Sequence, residues 1–347
     1  MSIGRPSLAT PILVLLATGA TGAYGCGSEG DVLVSRYAAP LDAPYEAENV
    51  TFTTPAGLSL AGTLTLPIGT GPSPGLVMIS GSGRQDRDEH IRGVGPGYRP
   101  FRQIADTLSR RGIATFRLDD RGVGGSDAGP DSATVFDVAD DFRAALAYLR
   151  NRPEIDPERL ALLGHSEGGV IAPMVAASDT SLAALVLLAG PAYTLQRVNR
   201  FQRGKQFERA GTLTPEEIES ELDRTDRGAE LTALRNPWRG AVWNYDPLPT
   251  ARTVRVPVLL LQGATDVQIS PEQADTLAAA FRDGGNADIT LHLFHETNHM
   301  FLWDDGQSLE GYRALPSDQV RKDVLGVLAD WLVRRVGGLG DEALEAS

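Results

Sequence analysis

The sequence predicts an α/β protein with a mostly parallel, doubly wound sheet. Short apolar runs alternate with amphipathic, helix-like stretches along most of the chain. The runs are almost continuously apolar, which is typical of strands that helices cover on both faces. They lie at residues 76–79, 113–118, 160–163, 184–188, 256–261 and 289–294. The helix-like stretches lie near residues 101–111, 137–151, 167–177, 271–282 and 318–335.

The same pattern predicts the domain organisation. Residues 49–66 come first and indicate two short strands around the turn Pro55-Ala56-Gly57. The alternation stops at residues 191–249, a segment too long for a connecting loop, which includes an acidic helix at 215–224. We predict a helical cap there, with a surface elaboration that does not contact the functional site as the alternative. The other predicted parts are a core at 45–190 and 250–336 and a flexible tail at 337–347.

Composition narrows the class of protein. The 347 residues are 42% hydrophobic and 22% charged, which indicates a folded protein rather than a disordered chain or a polytopic membrane protein. Acidic residues outnumber basic ones by 45 to 32, and the formal net charge of -13 repels phosphate backbones and anionic lipid surfaces. We therefore expect a small-molecule substrate and no nucleic-acid partner.

The first 25 residues have the layout of a secretory signal peptide. Arg5 precedes an apolar run at residues 8–17, which is shorter than the roughly 20 residues of a membrane-spanning helix. Ala23-Tyr24-Gly25-Cys26 resembles the cleavage box of bacterial lipoproteins, and Cys26 is the chain's one cysteine. An ordinary signal peptide with a chance cysteine is the alternative. We predict a signal peptide at 1–25, lipid attachment at Cys26, a tether at 26–44, and an exported protein of the cell envelope, lipid-anchored or periplasmic.

A candidate nucleophile lies in the stretch Gly164-His165-Ser166-Glu167-Gly168. The stretch matches Gly-x-Ser-x-Gly and stands between the apolar run at 160–163 and the helix-like stretch near 167–177. A strand, a sharp turn and a helix form a nucleophile elbow, in which glycines let the backbones pass closely and the serine hydroxyl projects at the sheet edge. The pattern predicts Ser166 as the nucleophile.

A catalytic serine needs a base to take its proton and a third group to orient that base. Asp266 follows the apolar run at 256–261, and His299 follows the run at 289–294. Both positions lie just beyond strand ends, where the active sites of open α/β sheets gather. The chain order of serine, acid and histidine completes the pattern. We therefore predict Asp266 as the orienting acid and His299 as the base.

Two further groups are predicted around Ser166. The backbone N–H of Glu167 and that of Ser82, in the small-residue loop after the run at 76–79, are expected to form the oxyanion hole. A plain turn is the alternative for Ser82. Three aromatic residues of the insertion are expected to form one wall of an acyl pocket, with packing inside the cap as the alternative; they are Trp238, Trp243 and Tyr245.

Four segments closely resemble a bacterial branch of α/β-hydrolase serine esterases, related in fold to prolyl-oligopeptidase-type and serine-aminopeptidase-type hydrolases. They lie at residues 81–89, 119–124, 164–169 and 298–301, and the similarity extends over roughly residues 46–335. The resemblance implies the α/β-hydrolase fold and hydrolysis of carboxylic esters through an acyl-enzyme, without a metal or cofactor. We expect short to medium acyl chains; amide or thioester cleavage on the same fold is the alternative. Arg84 departs from the branch, which usually has proline there.

A competing motif overlaps the predicted base. His295-Glu296-Thr297-Asn298-His299 matches His-Glu-x-x-His of zinc peptidases, which place both histidines on one face of a helix. Residues 289–293 alternate as a strand instead, and no obvious third ligand follows, so we favour the serine mechanism. A non-catalytic binding lipoprotein is a further alternative, and the complete serine, acid and histidine set argues against it.

Overall fold

An eight-stranded sheet with helices on both faces forms the core of the computed structural model, which describes residues 36–69, 71–91, 93–95, 97–306, 312 and 315–337. The predicted signal peptide, Cys26 and nearly all of the predicted tail lie outside the described residues. The strands are β1 (Tyr45–Thr53), β2 (Ser59–Pro67), β3 (Ser73–Ile79), β4 (Ala114–Leu118), β5 (Ile155–His165), β6 (Ala184–Leu188), β7 (Val258–Gly263) and β8 (Ile289–Phe294).

The helices follow the predicted alternation with the strands. None of those in the described part of the chain combines the length and the hydropathy of a membrane-spanning helix. They are α1 (Pro100–Ser109), α2 (Val135–Arg150), α3 (Gly168–Ala176), α4 (Leu195–Ala210), α5 (Pro215–Leu234), α6 (Pro237–Trp243), α7 (Leu248–Ala251), α8 (Glu272–Asp283) and α9 (Lys322–Val336).

The strand order across the sheet is β1-β2-β4-β3-β5-β6-β7-β8. Strand β2 pairs antiparallel with β1 and with β4, and every later neighbour is parallel. Parallel neighbours need crossover connections, and the helices between these strands provide them. The predicted mostly parallel, doubly wound sheet is therefore confirmed.

Two hydrophobic cores explain why the central strands are apolar at nearly every position. In β3, Val77 and Ile79 belong to the core under α2, α3 and α8, whereas Leu76 and Met78 belong to the core under α1 and α9. Successive side chains of a strand point to opposite faces, so both faces of a covered strand must be apolar. The sheet is thereby packed between two helical layers. The loops at its carboxyl edge extend from strands that this packing holds in place.

Three helices of the insertion, α4 to α6, occupy most of residues 191–249. Helix α5 continues to Leu234, beyond the predicted segment at 215–224, and it begins with a capping box between Thr214 and Glu217. Leu222 and Ala233 are buried on this helix, which packs against α4 and α6. The acidic residues near the start of α5 give no sign of its packing against α4 and α6. The sequence therefore predicts a helix that ends ten residues before the observed one.

Candidate active site

Ser166 lies at a sharp turn between β5 and α3. Its backbone φ is 53°, in the left-handed region that costs a non-glycine residue about 1–2 kcal/mol. A Cβ at Gly164 would lie 2.2 Å from the carbonyl oxygen of Gly168, and a Cβ at Gly168 would lie 2.2 Å from that of Ile79. Both positions therefore require glycine, and the two glycines of the motif allow the turn that exposes the serine hydroxyl.

The structure brings Ser166, His299 and Asp266 into one hydrogen-bonded chain. Ser166 Oγ lies 3.0 Å from His299 Nε2, and His299 Nδ1 lies 2.8 Å from Asp266 Oδ2. The residues Asp266 and His299 are only 3% and 2% exposed. The three side chains come from the carboxyl ends of β5, β7 and β8, which the parallel pairing aligns at one edge of the sheet. This is the geometry of a serine nucleophile, a base and an orienting acid.

Asp266 is held by its own loop. Its Oδ1 accepts hydrogen bonds from the backbone N–H groups of Gln268 and Ile269 at 2.7 and 2.9 Å, and its Oδ2 accepts one from Gln262 Nε2 at 3.0 Å. The side chain of Asn298 holds the histidine loop in the same way, because its Oδ1 accepts from the N–H groups of two later residues of that loop. Both loops therefore orient the imidazole of His299 before any substrate binds.

The loop after β3 approaches the nucleophile from the other side. A Cβ at Gly81 would lie 3.2 Å from Ser166 Cβ, so the backbone here is in close contact with the elbow. Ser82 comes next, and its side chain forms a hydrogen bond with Glu167. Within the described part of the chain, the backbone N–H groups of Ser82 and Glu167 form no hydrogen bond. Both donors of the predicted oxyanion hole are therefore available to a substrate oxygen.

The insertion contacts the elbow through Trp238 of α6. Its indole Nε1 donates a hydrogen bond to Glu167 Oε1 at 2.9 Å. Burial raises the pKa of Glu167, against the opposing effect of the hydrogen bonds from Trp238 and Ser82. The alternative of a surface elaboration without contact to the site is therefore wrong, because α6 lies against the residue that follows the nucleophile.

The other two aromatic residues of the insertion lie elsewhere. Trp243 is 1% exposed, so its indole is not available as the wall of an open pocket. This corrects the expectation for Trp243, whose position at the end of α6 turns it into the protein interior. Tyr245 is half-buried, packs edge-on against Phe136 at 5.9 Å between ring centroids, and hydrogen-bonds to Thr250 at 2.5 Å. Of the three aromatic residues, Trp238 is the one that forms a hydrogen bond with Glu167, the residue after the nucleophile.

Buried charged groups brace the loops beside the site. Arg87 Nη2 pairs with Asp119 Oδ2 at 2.5 Å, and Arg117 pairs with Asp88. Burial raises the pKa of Asp120 to about 8, and the nearby carboxylates of Glu89 and Glu167 act in the same direction. Ion pairs this deep are worth little net free energy, but removing one partner is strongly destabilising. They therefore fix the geometry of the loops after β3 and β4.

Sequence reasoning assigned no separate role to Glu89 and His165. Glu89 Oε1 lies 2.8 Å from His165 Nδ1, and both side chains are buried directly behind the nucleophile. A signal existed: each is a polar residue next to a segment that must be buried, His165 at the end of an apolar strand and Glu89 in a loop of charged residues. Their pairing across 76 residues of sequence needs the fold.

The His-Glu-x-x-His segment follows β8 as a turn rather than a helix. The two ring nitrogens of His299 face Ser166 and Asp266, and the side chain of His295 is exposed. No group of three or more histidine, cysteine, aspartate or glutamate side chains placed to hold a metal ion occurs among the described residues. The two histidines are therefore not arranged on one helical face as the zinc-peptidase motif requires.

Comparison with known proteins relates this chain to hydrolases. A family model described as serine aminopeptidase, S33, matches residues 91–219, a segment that contains Ser166 but neither Asp266 nor His299. Esterase EstD of Thermotoga maritima is 28% identical over 285 residues, which are 79% of this chain and 66% of that protein. This chain therefore spans just under two thirds of the length of that relative.

Solved structures agree on the fold. An α/β-hydrolase of Penicillium, GrgF, matches with a TM-score of 0.57 and 19% identity, covering 84% of this chain and 99% of that chain. The Pyrococcus furiosus esterase Pf2001 matches with a TM-score of 0.57 and 18% identity, covering 84% and 92%. The chain thus has the α/β-hydrolase fold, as expected.

Proposed function

We propose that this chain, with its α/β-hydrolase fold, is a serine hydrolase that cleaves carboxylic esters through an acyl-enzyme intermediate. The observation that carries the proposal is the hydrogen-bonded chain from Ser166 through His299 to Asp266, with the serine on a left-handed turn. A serine hydroxyl is a weak nucleophile until a base within hydrogen-bond reach takes its proton. The 3.0 Å contact between Ser166 Oγ and His299 Nε2 provides that reach.

The residues act in two half-reactions. Ser166 Oγ attacks the acyl carbon while His299 Nε2 takes its proton, and the collapse of the tetrahedral intermediate returns that proton to the departing alcohol. Water then attacks the acyl-enzyme with His299 again as base, which releases the carboxylic acid and restores the serine. Asp266 stays ionised, keeps the imidazole in the tautomer that can accept the serine proton, and stabilises the imidazolium that forms.

The negative oxygen of each tetrahedral intermediate is assigned to the backbone N–H groups of Ser82 and Glu167. Ser82 lies in the loop after β3 and Glu167 follows the nucleophile, and the side chains of the two residues interact by a hydrogen bond. Fixed donors that point at a developing oxyanion are worth about 2.7–4 kcal/mol each in comparable enzymes. The loop after β3 and the start of α3 therefore supply the electrostatic part of catalysis.

Ester cleavage is the first choice among the reactions that such a site supports. EstD and Pf2001 are named as esterases, and EstD matches most of this chain. The serine aminopeptidase description of the matching family model supports amide cleavage as the second candidate. Thioester cleavage uses the same residues and is the third. Because α6 lies against the elbow through Trp238, the acyl group has limited room, and we propose short to medium acyl chains.

A substrate panel tests the proposed reaction. Chromogenic esters with acyl chains from acetyl to hexadecanoyl are compared with aminoacyl amides and acyl thioesters by their kcat/KM. We expect short and medium esters to exceed the amides by about 100-fold or more, since an amide has the poorer leaving group. Amides that are cleaved as fast as esters would instead assign the site to a peptidase.

The same series tests the place of the acyl chain. Trp238→Ala should raise kcat/KM for long chains relative to short ones, because the indole that covers the elbow is removed. Trp238→Phe keeps a ring and removes the N–H, so it separates the effect of the wall from that of the hydrogen bond to Glu167. An unchanged chain-length profile in both variants would place the acyl chain elsewhere.

Attachment to the cell envelope through Cys26 is a proposal from the sequence. Lipid on this cysteine should move the exported protein into the detergent phase, and Cys26→Ala should release it into the aqueous phase or leave its signal peptide uncleaved. The measurement is detergent phase separation of cells that express each form from the same promoter. Equal partition of processed wild-type and variant protein would contradict the anchor.

A further inference from the structure

A buried side-chain pair behind the nucleophile joins three loops of the site. Glu89 Oε1 accepts a hydrogen bond from the backbone N–H of Gly81 at 2.6 Å and lies 2.8 Å from His165 Nδ1. On the far side of the ring, His165 Nε2 lies 3.1 Å from the carbonyl oxygen of His299. Gly81 precedes Ser82 and His165 precedes Ser166, and the third contact is with the backbone of His299 itself.

Both ring nitrogens of His165 face acceptors. A carbonyl oxygen has no proton to give, so Nε2 must donate to His299, and Nδ1 faces a carboxylate oxygen. The pair of Glu89 and His165 therefore holds one proton more than a neutral imidazole and a carboxylate would hold. His165 is 3% exposed, Glu89 is fully buried, and Glu89 Oε2 has no hydrogen-bond partner among the described residues. A buried carboxylate of this kind needs the positive charge of an imidazolium beside it.

The pair also constrains the position of the base. The rings of His165 and His299 lie 5.0 Å apart between centroids, and the carbonyl held by His165 belongs to His299 itself. Glu89 keeps a left-handed backbone, with φ of 54°, that a non-glycine residue adopts only when its surroundings hold it there. A neutral ring keeps only one N–H, and the charge-assisted bond from Nδ1 to the Glu89 carboxylate is the stronger of its two contacts. Loss of one proton would therefore leave the lone pair of Nε2 against the His299 carbonyl oxygen, and this repulsion would displace the backbone of the base.

We propose that His165 is a positioning residue that holds His299 in register with Ser166 only while the pair with Glu89 keeps its shared proton. The inference rests on the proposed serine mechanism. It adds an alkaline limit to the reaction, because turnover falls when this pair loses its proton. The rate of ester cleavage thus depends on the proton shared by Glu89 and His165, although this proton is not transferred in the reaction.

The electrostatic surroundings of His165 also favour its protonated form. Burial alone would lower the pKa of His165, but the charge and hydrogen bond of Glu89, the carbonyl of His299 and the charge of Asp266 outweigh it, so the pKa lies above the ordinary value. The folded protein therefore favours the protonated ring more strongly than water does, and the pair loses its proton at a higher pH than a free imidazole would. The titratable groups that face the pair from the elements packed around it are Glu89, Tyr98, Asp120, Asp266 and His299.

The experiment measures kcat and KM for a good short-chain ester from about pH 6 to about pH 10. In the wild type we expect kcat to fall on the alkaline side while KM changes by less than about twofold. His165→Gln keeps a donor near Nε2 that does not titrate, so the alkaline fall should disappear, with kcat near neutrality within about tenfold of the wild type. Glu89→Gln removes the carboxylate that stabilises the imidazolium, so the fall should move at least about one pH unit lower.

Two control variants separate this pair from other groups. His295→Gln changes an exposed histidine of the same region and should leave the alkaline fall in place, as should Asp120→Asn, which removes a neighbouring group with a pKa of about 8. The same alkaline fall in wild type, His165→Gln and Glu89→Gln would overturn the proposal. So would a fall that disappears in Asp120→Asn alone.

A second measurement does not depend on activity. Because the pKa of His165 is raised on folding, its contribution to stability is present below the unfolded pKa of about 6.5 and is lost as pH rises through the folded pKa. The Tm of the wild type should therefore fall more steeply above neutral pH than that of the double variant His165→Gln/Glu89→Gln. Parallel Tm curves would refute the titrating pair. If no ester is turned over while the curves diverge, the serine mechanism fails and the pair stands.

Discussion

Ser166→Ala is expected to lose at least about 10,000-fold in kcat for the best ester, with the fold intact. We expect the acyl-enzyme to form on Ser166, because among the described residues its Oγ is the hydroxyl that His299 Nε2 contacts, at 3.0 Å. The variant should also lose covalent labelling by a fluorophosphonate. Labelling is read by intact-protein mass spectrometry, and folding by circular dichroism and Tm.

A neighbouring serine provides the matched control. Ser82→Ala keeps the backbone N–H assigned to the oxyanion hole and removes only the hydroxyl that bonds Glu167. It should still be labelled, with turnover reduced by about tenfold at most. Persistent labelling of the folded Ser166→Ala protein would contradict the prediction that Ser166 is the nucleophile.

The second large effect is expected at one of two histidines that share a motif. His299→Ala should lose at least about 1,000-fold in kcat, because Ser166 then has no base and the orienting contact with Asp266 is gone. His295→Ala and Glu296→Gln should keep most of the activity, since both side chains are exposed and outside the hydrogen-bonded chain. Steady-state kinetics on the three folded variants provides the comparison.

A zinc mechanism predicts the opposite pattern. It requires both histidines as ligands and Glu296 as the base, and chelation would then remove activity. We expect EDTA and phenanthroline to leave ester turnover unchanged. Loss of activity in folded His295→Ala, together with chelator inactivation of the wild type that added zinc reverses, would overturn the serine mechanism.

The sequence predicts the features that depend on residues close together in the chain, namely the strands, the elbow and the residues that follow the strand ends. Continuous apolar runs predict strands covered on both faces, and the residues just beyond them, Ser166, Asp266 and His299, meet because parallel strands align their carboxyl ends. Gly164 and Gly168 predict the elbow because the absence of a side chain is itself readable in sequence. These predictions need periodicity, glycine placement and chain order, and no knowledge of distant contacts.

Other features depend on contacts that the sequence does not encode locally. The bond from Trp238 to Glu167 spans 71 residues and depends on how the insertion folds back over the elbow. The three aromatic residues of the insertion read alike in sequence, yet Trp243 is buried in the interior and Tyr245 packs against Phe136. Their environments differ because α6 packs against α5, α4 and α2, and these contacts decide which side chains of α6 are buried.

The separation of Ser166 and His299 by 133 residues also bears on how the protein becomes active during synthesis. Strand β8, which delivers His299, is at the edge of the sheet and pairs with β7 alone among the described strands. A nascent chain that has completed β5 and α3 therefore carries the serine but neither its base nor the acid. Contacts of such long range carry a large loop-closure entropy, which slows their formation. If the proposed mechanism holds, a chain that ends before β7 cannot assemble the hydrogen-bonded chain of Ser166, His299 and Asp266, and turnover requires synthesis at least through His299.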